Sequence, residues 1–204
     1  MVWQNLEQVD RYARERYRHW DQRWLSHREE QLVAGIFTRY QLGGSILDVP
    51  VGYGRFQELL HRFGPVHALD SSYYAVLYQR KNLGLAQGSV TGLAEELPYP
   101  DRSFEVIFSL RLLQHIHERD RRLAILNEFN RVSRRWVVLS LYIRTPIHLL
   151  HRRIVKQPSR ITMLSREELR EEAREAGLQL VRMVSVLPGL HAQRICLFTS
   201  DQAA

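Results

Sequence analysis

Short apolar runs alternate with amphipathic stretches through most of the chain, which is the pattern of strands alternating with helices. Runs rich in aliphatic residues predict five strands, at 45–51, 66–70, 85–90, 104–110 and 136–142. Apolar residues at helical spacing predict the helices, at 55–63, 73–83, 118–133 and 165–176. Ser165 and Glu168 predict a capping box at the start of the last of these helices. Two last strands, 178–187 and 193–199, are joined across a Pro188-Gly189 turn.

The first 42 residues contain no proline and only one glycine, Gly35, which predicts helix throughout. Five apolar residues of this part fall at helical spacing and form one face: Leu32, Val33, Ile36, Phe37 and Tyr40. Before them, aromatic residues stand among charges: Tyr12, Tyr17, Trp20 and Trp24. These aromatic residues fit the buried side of an amphipathic cover helix. The alternative is a ligand cleft in which the polar tips of Tyr12 and Tyr17 reach a substrate.

Strands that alternate with helices form a parallel sheet covered on both faces. The short connection between the last two strands requires one of them to run antiparallel, at the edge of the sheet. The prediction is a doubly wound α/β sheet of about seven strands, mostly parallel with an antiparallel edge strand, plus N-terminal helices. Residues 1–42 form a helical cover in this interpretation, and residues 43–204 form the sheet domain.

The net charge of the chain indicates which kinds of molecule it could bind, and its cysteine content indicates the cellular compartment. The net charge is +7 and comes almost wholly from arginine, because Lys81 and Lys156 are the only lysines. A basic chain favours nucleic acid, a membrane surface or an acidic substrate as partner, although arginine-rich codon usage explains the charge equally well. The single cysteine, Cys196, excludes an internal disulfide and fits a reducing compartment. With no spanning apolar run and no secretory signal pattern, we expect a cytoplasmic protein.

The stretch 45–56 has the form of a strand, a glycine loop and the start of a helix. Asp48 ends the strand, and Gly52 and Gly54 let bare backbone approach a ligand. Asp70 and Ser109 end the second and fourth strands. Because ligands of open parallel sheets bind beyond the carboxyl ends of the strands, these residues are expected to surround one crevice. An acid at the position of Asp70 suits the two hydroxyls of a ribose, and helix capping is its alternative role.

Four stretches in this order and spacing resemble the class I S-adenosylmethionine-dependent methyltransferases of the small-molecule type, similar to methyltransferase domain 11. The stretches are 47–54, 68–72, 92–107 and 109–116. The resemblance implies a Rossmann-like fold over about 40–200, with residues 43–204 as the methyltransferase domain. It also implies S-adenosylmethionine as cofactor and the following set of cofactor-binding residues: Asp48, Pro50, Gly52, Gly54, Asp70, Ser71, Leu93, Ala94, Ser109, Leu110 and Arg111.

The roles of these residues follow from the resemblance. The glycine loop would approach the methionine part of the cofactor, and Asp48 would meet its ammonium group. Asp70 would hold the ribose hydroxyls. Leu93 and Ala94 would lie against the adenine. The stretch 109–111 would floor the pocket near the sulfonium.

The implied reaction is in-line transfer of the sulfonium methyl group to a small-molecule acceptor. Such an enzyme mainly holds donor and acceptor in line, and it needs a general base only when the acceptor must lose a proton. His115, just past the fourth strand, is the best-placed catalytic candidate. The nine histidines show no HExxH or Cys/His metal spacing, so no metal is expected.

The acceptor side is expected to include the basic segment 144–160, between the fifth strand and the next helix. Its residues Ile147, Leu150 and Ile154 fall at helical spacing. This segment fits a cover over an anionic or amphiphilic acceptor, in contact with a membrane surface, or a solvated helix that packs on the domain. Four residues are candidates for acceptor contact: Tyr12, Tyr17, His148 and His151.

Two other functions remain open at this stage. An RNA or protein methyltransferase would use the arginine-rich surface, but nucleic acid is the second choice because the basic segment 144–160 lacks interleaved aromatic residues. A catalytically silent binding or scaffold protein is the other alternative. It is motivated by Pro50, where the family usually has its first glycine, and by Leu93, where it often has an acid.

Overall fold

The computed structural model describes residues 3–16, 18–144, 161–188 and 192–201. Two helices precede the sheet, α1 (Leu6–Glu15) and α2 (Trp20–Arg39). The remaining helices are α3 (Gln57–His61), α4 (Tyr73–Asn82), α5 (Arg119–Val132) and α6 (Arg166–Glu175). The strands are β1 (Ile46–Asp48), β2 (Val66–Asp70), β3 (Gly88–Thr91), β4 (Phe104–Ser109), β5 (Ser133–Tyr142), β6 (Leu178–Ser185) and β7 (Gln193–Ser200).

The described strands form one sheet in the order β3-β2-β1-β4-β5-β7-β6. Strands β1 to β5 pair in parallel, and β7 runs antiparallel to both β5 and β6. The predicted Rossmann-like, mostly parallel sheet is confirmed. Its antiparallel strand, β7, lies between β5 and the outermost strand β6, because the tight connection folds β7 back against β6. From β1, the strands β2 and β3 extend the sheet to one side, and β4 and β5 extend it to the other side. The crevice of this fold opens at this change of side, between β1 and β4.

Both faces of the sheet are covered, as a doubly wound sheet requires. On one face, Leu126 and Phe129 of α5 pack with Leu169 of α6 against the strands. On the other face, Phe37 of α2 and Leu60 of α3 pack around Phe108 of β4. The helix α6 begins with the predicted capping box, in which Ser165 and Glu168 satisfy each other's backbone amides.

The N-terminal region is two helices rather than one continuous helix. The helix α1 ends at Glu15 and α2 begins at Trp20, and the two cover different parts of the domain. The first packs beside α4, where the Tyr78 hydroxyl donates to Asp10 at 3.4 Å, whereas α2 buries its apolar face on the sheet. A straight helix cannot reach both surfaces, so the chain turns between them.

The interpretation of the early aromatic residues as one buried face is wrong for the two tryptophans. Trp20 is 77% exposed and Trp24 is 52% exposed. The buried residues of α2 are instead Ser26, Glu29, Val33, Ile36 and Phe37. Successive helical residues are turned by about 100°, which puts Trp20 and Trp24 on the side opposite to this face.

Candidate functional site

A cavity of about 700 Å³ opens beyond the carboxyl ends of β1, β2 and β4. Its walls come from the loop after β1, the turn after β3, the segment after β4 and the helix α1. Nine of the eleven predicted cofactor-binding residues line it: Asp48, Pro50, Gly52, Asp70, Ser71, Leu93, Ala94, Leu110 and Arg111. The strand ends therefore bring together residues that are more than 60 positions apart in the sequence.

Asp70 closes the loop after β1 onto the end of β2. Its Oδ2 accepts a hydrogen bond from the Gly52 amide and its Oδ1 accepts one from the Ser72 amide, both at 2.8 Å. Gly52 reaches this position with φ +56°, a conformation that glycine adopts without strain. Burial raises the pKa of Asp70, and the two amides oppose that effect. Each oxygen keeps a further lone pair for a ligand hydroxyl.

Asp48 is buried at the end of a chain of side-chain hydrogen bonds. Gln57 donates to its Oδ2 at 3.1 Å, Gln79 donates to Gln57 at 3.3 Å, and Ser89 donates to Gln79 at 3.0 Å. Burial raises the pKa of Asp48 to about 7, Gln57 lowers it, and the charge of Asp70 adds to the rise. Asp48 lines the cavity. Among the described residues, no cationic side chain is bonded to its carboxyl group.

Gly54 is buried behind the cavity wall and is not among the lining residues. Its φ is +84°, and a Cβ atom at this position would lie 2.4 Å from Leu83 Cδ1 and 3.1 Å from Gln79 Cγ. The glycine thus lets α4 pack closely against the loop. Pro50, in contrast, does line the cavity and follows a cis peptide bond.

Of the three predicted residues at the end of β4 and just after it, two line the cavity and one does not. Ser109 is 1% exposed and lies beneath the wall, because β4 continues through it as a buried strand. Leu110 lines the cavity. Arg111 also lines it, with φ +66° and its amide donating to Ser140 Oγ at 2.8 Å. The guanidinium of Arg111 is turned towards α2, where it meets Glu29.

Glu29 is a fully buried acid on α2 that the sequence analysis did not identify. It accepts hydrogen bonds from Arg55 at 2.5 Å, from Arg111 at 3.0 Å and from Gln193 at 2.7 Å. Burial by itself would raise the pKa of Glu29, but the charges of Arg111 and Arg55 leave it below its ordinary value. A signal was present in the sequence, because Glu29 falls four residues before Val33 on the buried stripe of α2.

Aromatic side chains form the wall opposite the sheet. The rings of Trp3 and Tyr12 lie 4.9 Å apart between centroids, and those of Tyr12 and Tyr53 lie 6.0 Å apart. The guanidinium of Arg16 lies 5.7 Å from the centre of the Tyr12 ring. The predicted contact residue Tyr12 therefore lines the cavity, whereas Tyr17, His148 and His151 lie outside the described residues, as does nearly all of the segment 144–160.

His115 and Gln114 line the cavity at the short 3-10 turn after β4. Partial desolvation and nearby positive charge, including that of Arg111, lower the pKa of His115, which favours a neutral imidazole. Gln114 is buried, and within the described part of the chain its Oε1 has no hydrogen-bond partner. The turn is held in place by the Thr162 amide, which donates to the Gln114 carbonyl at 2.7 Å.

The turn after β3 forms a further side of the cavity. Leu93 is 55% exposed, whereas Ala94 beside it is buried. The Gly92 amide donates to the Asp70 carbonyl at 3.0 Å, which ties this turn to the end of β2. The Leu93 side chain is therefore available to lie against a flat ring.

No group of three or more His, Cys, Asp or Glu side chains in 3–16, 18–144, 161–188 and 192–201 is arranged to hold a metal ion. Among the helices in these ranges, none combines the length and the apolar character needed to cross a membrane.

Comparison with known proteins agrees with this geometry. Residues 47–139 match the family model described as "Methyltransferase domain". No curated protein matches the chain in sequence.

Solved structures resemble the whole fold. Magnesium protoporphyrin IX methyltransferase from Synechocystis PCC 6803, with bound SAH, is similar with a TM-score of 0.77 and 17% identity over 96% of this chain and 95% of that one. An S-adenosylmethionine-dependent methyltransferase from Clostridium acetobutylicum has a TM-score of 0.70 and 10% identity over 85% and 91% of the chains. A Haloferax volcanii complex of a methyltransferase with the activator Trm112 has a TM-score of 0.62 and 16% identity over 87% and 94%.

The family match covers the glycine loop, the acid at the end of β2 and the segment leading into β4, which are the stretches on which the sequence resemblance was based. Residues 47–139 therefore match the methyltransferase-domain family, and the fold of the chain is that of the solved S-adenosylmethionine-dependent methyltransferases that it resembles.

Proposed function

We propose that this protein transfers the methyl group of S-adenosylmethionine to a small-molecule acceptor. The observation that carries the proposal is the meeting of Asp48 and Asp70 at one cavity, beside a loop that Asp70 itself holds closed. Two buried carboxyl groups at one cavity suit a ligand that brings an ammonium group and a pair of hydroxyls.

The residues present fit this cofactor part by part. Asp48 would pair with the ammonium group, Asp70 would accept from the ribose hydroxyls, and Leu93 with Ala94 would contact the adenine. When bound, S-adenosylmethionine supplies an activated methyl group on a sulfonium. The contribution of the chain is to hold and orient, because a methyl group so activated needs alignment more than further activation.

The acceptor side combines aromatic surface with positive charge. Tyr12 and Tyr53 form its wall, and Arg16, Arg111 and Arg121 border the cavity, although Arg111 is paired with Glu29 and Arg121 with Glu95. This lining supports an anionic or amphiphilic acceptor with a flat apolar part. The similarity in fold to a magnesium protoporphyrin IX methyltransferase also supports an acceptor of this kind. A neutral His115 would take the proton when the acceptor atom carries one.

The reaction class is tested by measuring S-adenosylhomocysteine release with three groups of acceptors: aromatic carboxylic acids and phenols, short RNAs, and basic peptides. Release with the first group alone supports the proposal. Release only with RNA or only with peptide would show that the acceptor is not a small molecule, although the protein would still be a methyltransferase. Binding of S-adenosylmethionine without turnover in any group favours the silent scaffold.

The raised pKa of Asp48 predicts how cofactor affinity depends on pH. The ammonium group pairs with the ionised carboxylate, but with a pKa of about 7 the carboxyl group is mostly protonated at pH 6. Affinity for S-adenosylhomocysteine should therefore rise by about tenfold between pH 6 and pH 8, and binding at pH 6 should release a proton. Titration calorimetry in two buffers of different ionisation heat measures both quantities.

The matched variant for this prediction is Asp48→Asn, which keeps the shape and the hydrogen bond with Gln57 but cannot ionise. Its affinity should be weak and nearly independent of pH. A wild-type affinity that stays constant between pH 6 and pH 8 would show that Asp48 does not meet the ammonium group.

A further inference from the structure

The outer face of α2 carries two tryptophans that the rest of the described structure leaves more than half exposed, Trp20 at 77% and Trp24 at 52%. On a helical projection, Trp20, Trp24 and His27 fall within an arc of about 60°. The opposite side of α2 is the one that packs on the sheet, with Val33, Ile36 and Phe37 buried. Because the inner face of α2 already packs on the sheet, Trp20 and Trp24 point away from the domain. Burying them would require a second partner for α2.

Positive charge borders this tryptophan face, which we define as Trp20, Arg23, Trp24, His27 and Arg28. On the same projection Arg23 lies on one side of the tryptophans and Arg28 on the other, each about 60–80° from Trp20. The stretch 18–28 holds three arginines and two histidines against one acid, Asp21. The acid Glu30, nearby on α2, is 38% exposed, and it accepts from Ser26 at 3.3 Å and lies 3.6 Å from Arg55.

A groove of about 330 Å³ continues the apolar surface beside Trp24. It lies between α2 and the end of β6, and Val186, Leu187 and Pro188 form its second wall. The face is thus a strip of indole and aliphatic surface with guanidinium groups along both margins. Tryptophan with flanking arginine is the composition that favours the boundary between lipid headgroups and acyl chains.

We infer that the tryptophan face of α2 docks on an anionic lipid bilayer. The indole rings would enter the headgroup region, and Arg23 and Arg28 would meet lipid phosphates and other acidic headgroups. An anionic bilayer complements this face, because the face combines apolar rings with an excess of cationic side chains on a chain of net charge +7. The attachment is peripheral and reversible.

Docking through Trp20 would hold one border of the cavity within about 15 Å of the lipid surface, since four residues span at most about 3.6 Å each. Arg16, which borders the cavity, stands only four residues before Trp20 in the chain. An amphiphilic acceptor could then reach the site from the bilayer. That last consequence rests on the proposed function, whereas docking itself does not.

The test is sedimentation of the full chain with vesicles of phosphatidylcholine alone and of phosphatidylcholine with phosphatidylglycerol. We expect binding to the anionic vesicles, weakening as salt is added, and a blue shift of tryptophan fluorescence. The variant Trp20→Ser/Trp24→Ser should bind about tenfold more weakly and lose most of the shift, and Arg23→Glu/Arg28→Glu should bind about tenfold more weakly. Circular dichroism shows whether each variant is folded.

The matched control is Arg62→Glu/Arg80→Glu, which makes the same change of net charge at exposed positions outside the face. It should retain most of the vesicle binding. The inference is overturned if anionic vesicles are not bound, or if the two arginine pairs have equal effects. It is also overturned if the tryptophans are required for self-association in the absence of lipid, because a second copy would then cover the face. S-adenosylhomocysteine binding, measured in parallel, reports on the proposed function separately.

Discussion

Replacing Asp70 with alanine is expected to weaken binding of S-adenosylmethionine by about 10-fold to 100-fold. Hydrogen bonds to a charged group contribute about 1.5–3 kcal/mol, and Asp70 faces the cavity with lone pairs that remain free for ligand hydroxyls. A second effect acts in the same direction. Without the carboxylate, the Gly52 and Ser72 amides lose their acceptor, and the glycine loop is no longer tied to the end of β2.

The measurement is calorimetric titration of wild-type and variant proteins at one pH. The control is Glu58→Ala, which removes an exposed acid from α3 and should leave the affinity unchanged. Comparison of S-adenosylmethionine with methionine separates the two effects, since methionine has no ribose. A loss confined to S-adenosylmethionine identifies hydroxyl binding, and an equal loss for both identifies loosening of the loop. Unchanged affinity for S-adenosylmethionine would refute both roles.

Replacing Glu29 with alanine is expected to lower the free energy of unfolding by about 3–5 kcal/mol. Removing one partner of a buried ion pair leaves an uncompensated charge, and here two guanidinium groups and the Gln193 amide depend on the same carboxylate. The contact also joins four parts of the chain: α2, the loop after β1, the segment after β4 and the start of β7. Loss of Glu29 should therefore also weaken cofactor binding, because Arg55 and Arg111 both border the cavity.

Urea denaturation followed by circular dichroism measures this effect. The control is Glu30→Ala, the next residue of α2, whose side chain is 38% exposed and whose carboxylate lies 3.6 Å from Arg55; the substitution should cost less than about 1 kcal/mol. Because the pKa of Glu29 lies below its ordinary value of 4.5 in the folded protein, the stability it gives is present above that pH and is lost as the pH falls further. Equal effects of the two substitutions would show that the buried cluster adds no stability.

The sequence predicted the parts of the fold that depend on local pattern. The strand at 66–70 and the capping box of Ser165 and Glu168 were predicted with their observed bounds and contacts, because an apolar run and capping chemistry are local properties. The meeting of Asp48 and Asp70 at one cavity was also predictable, since strand ends of a parallel sheet share one edge.

What the sequence did not reveal depends on tertiary packing. The turn between α1 and α2 has no glycine or proline and exists because the two helices dock on different surfaces. The buried stripe of α2 marks the position of Glu29, but the ion pairs of Glu29 form only when Arg55 and Arg111 are folded against it. Arg111 and Ser109 are near neighbours in sequence, yet one lines the cavity and the other lies beneath it.

The central claim is that the cavity at the ends of β1, β2 and β4 binds S-adenosylmethionine, and direct calorimetric titration tests it most closely. The account predicts saturable binding of one molecule per chain in the micromolar range, with S-adenosylhomocysteine competing for the same site. Binding should also raise the thermal unfolding midpoint, since a ligand of the folded state stabilises it. Absence of both heat and thermal stabilisation at millimolar ligand would contradict the account.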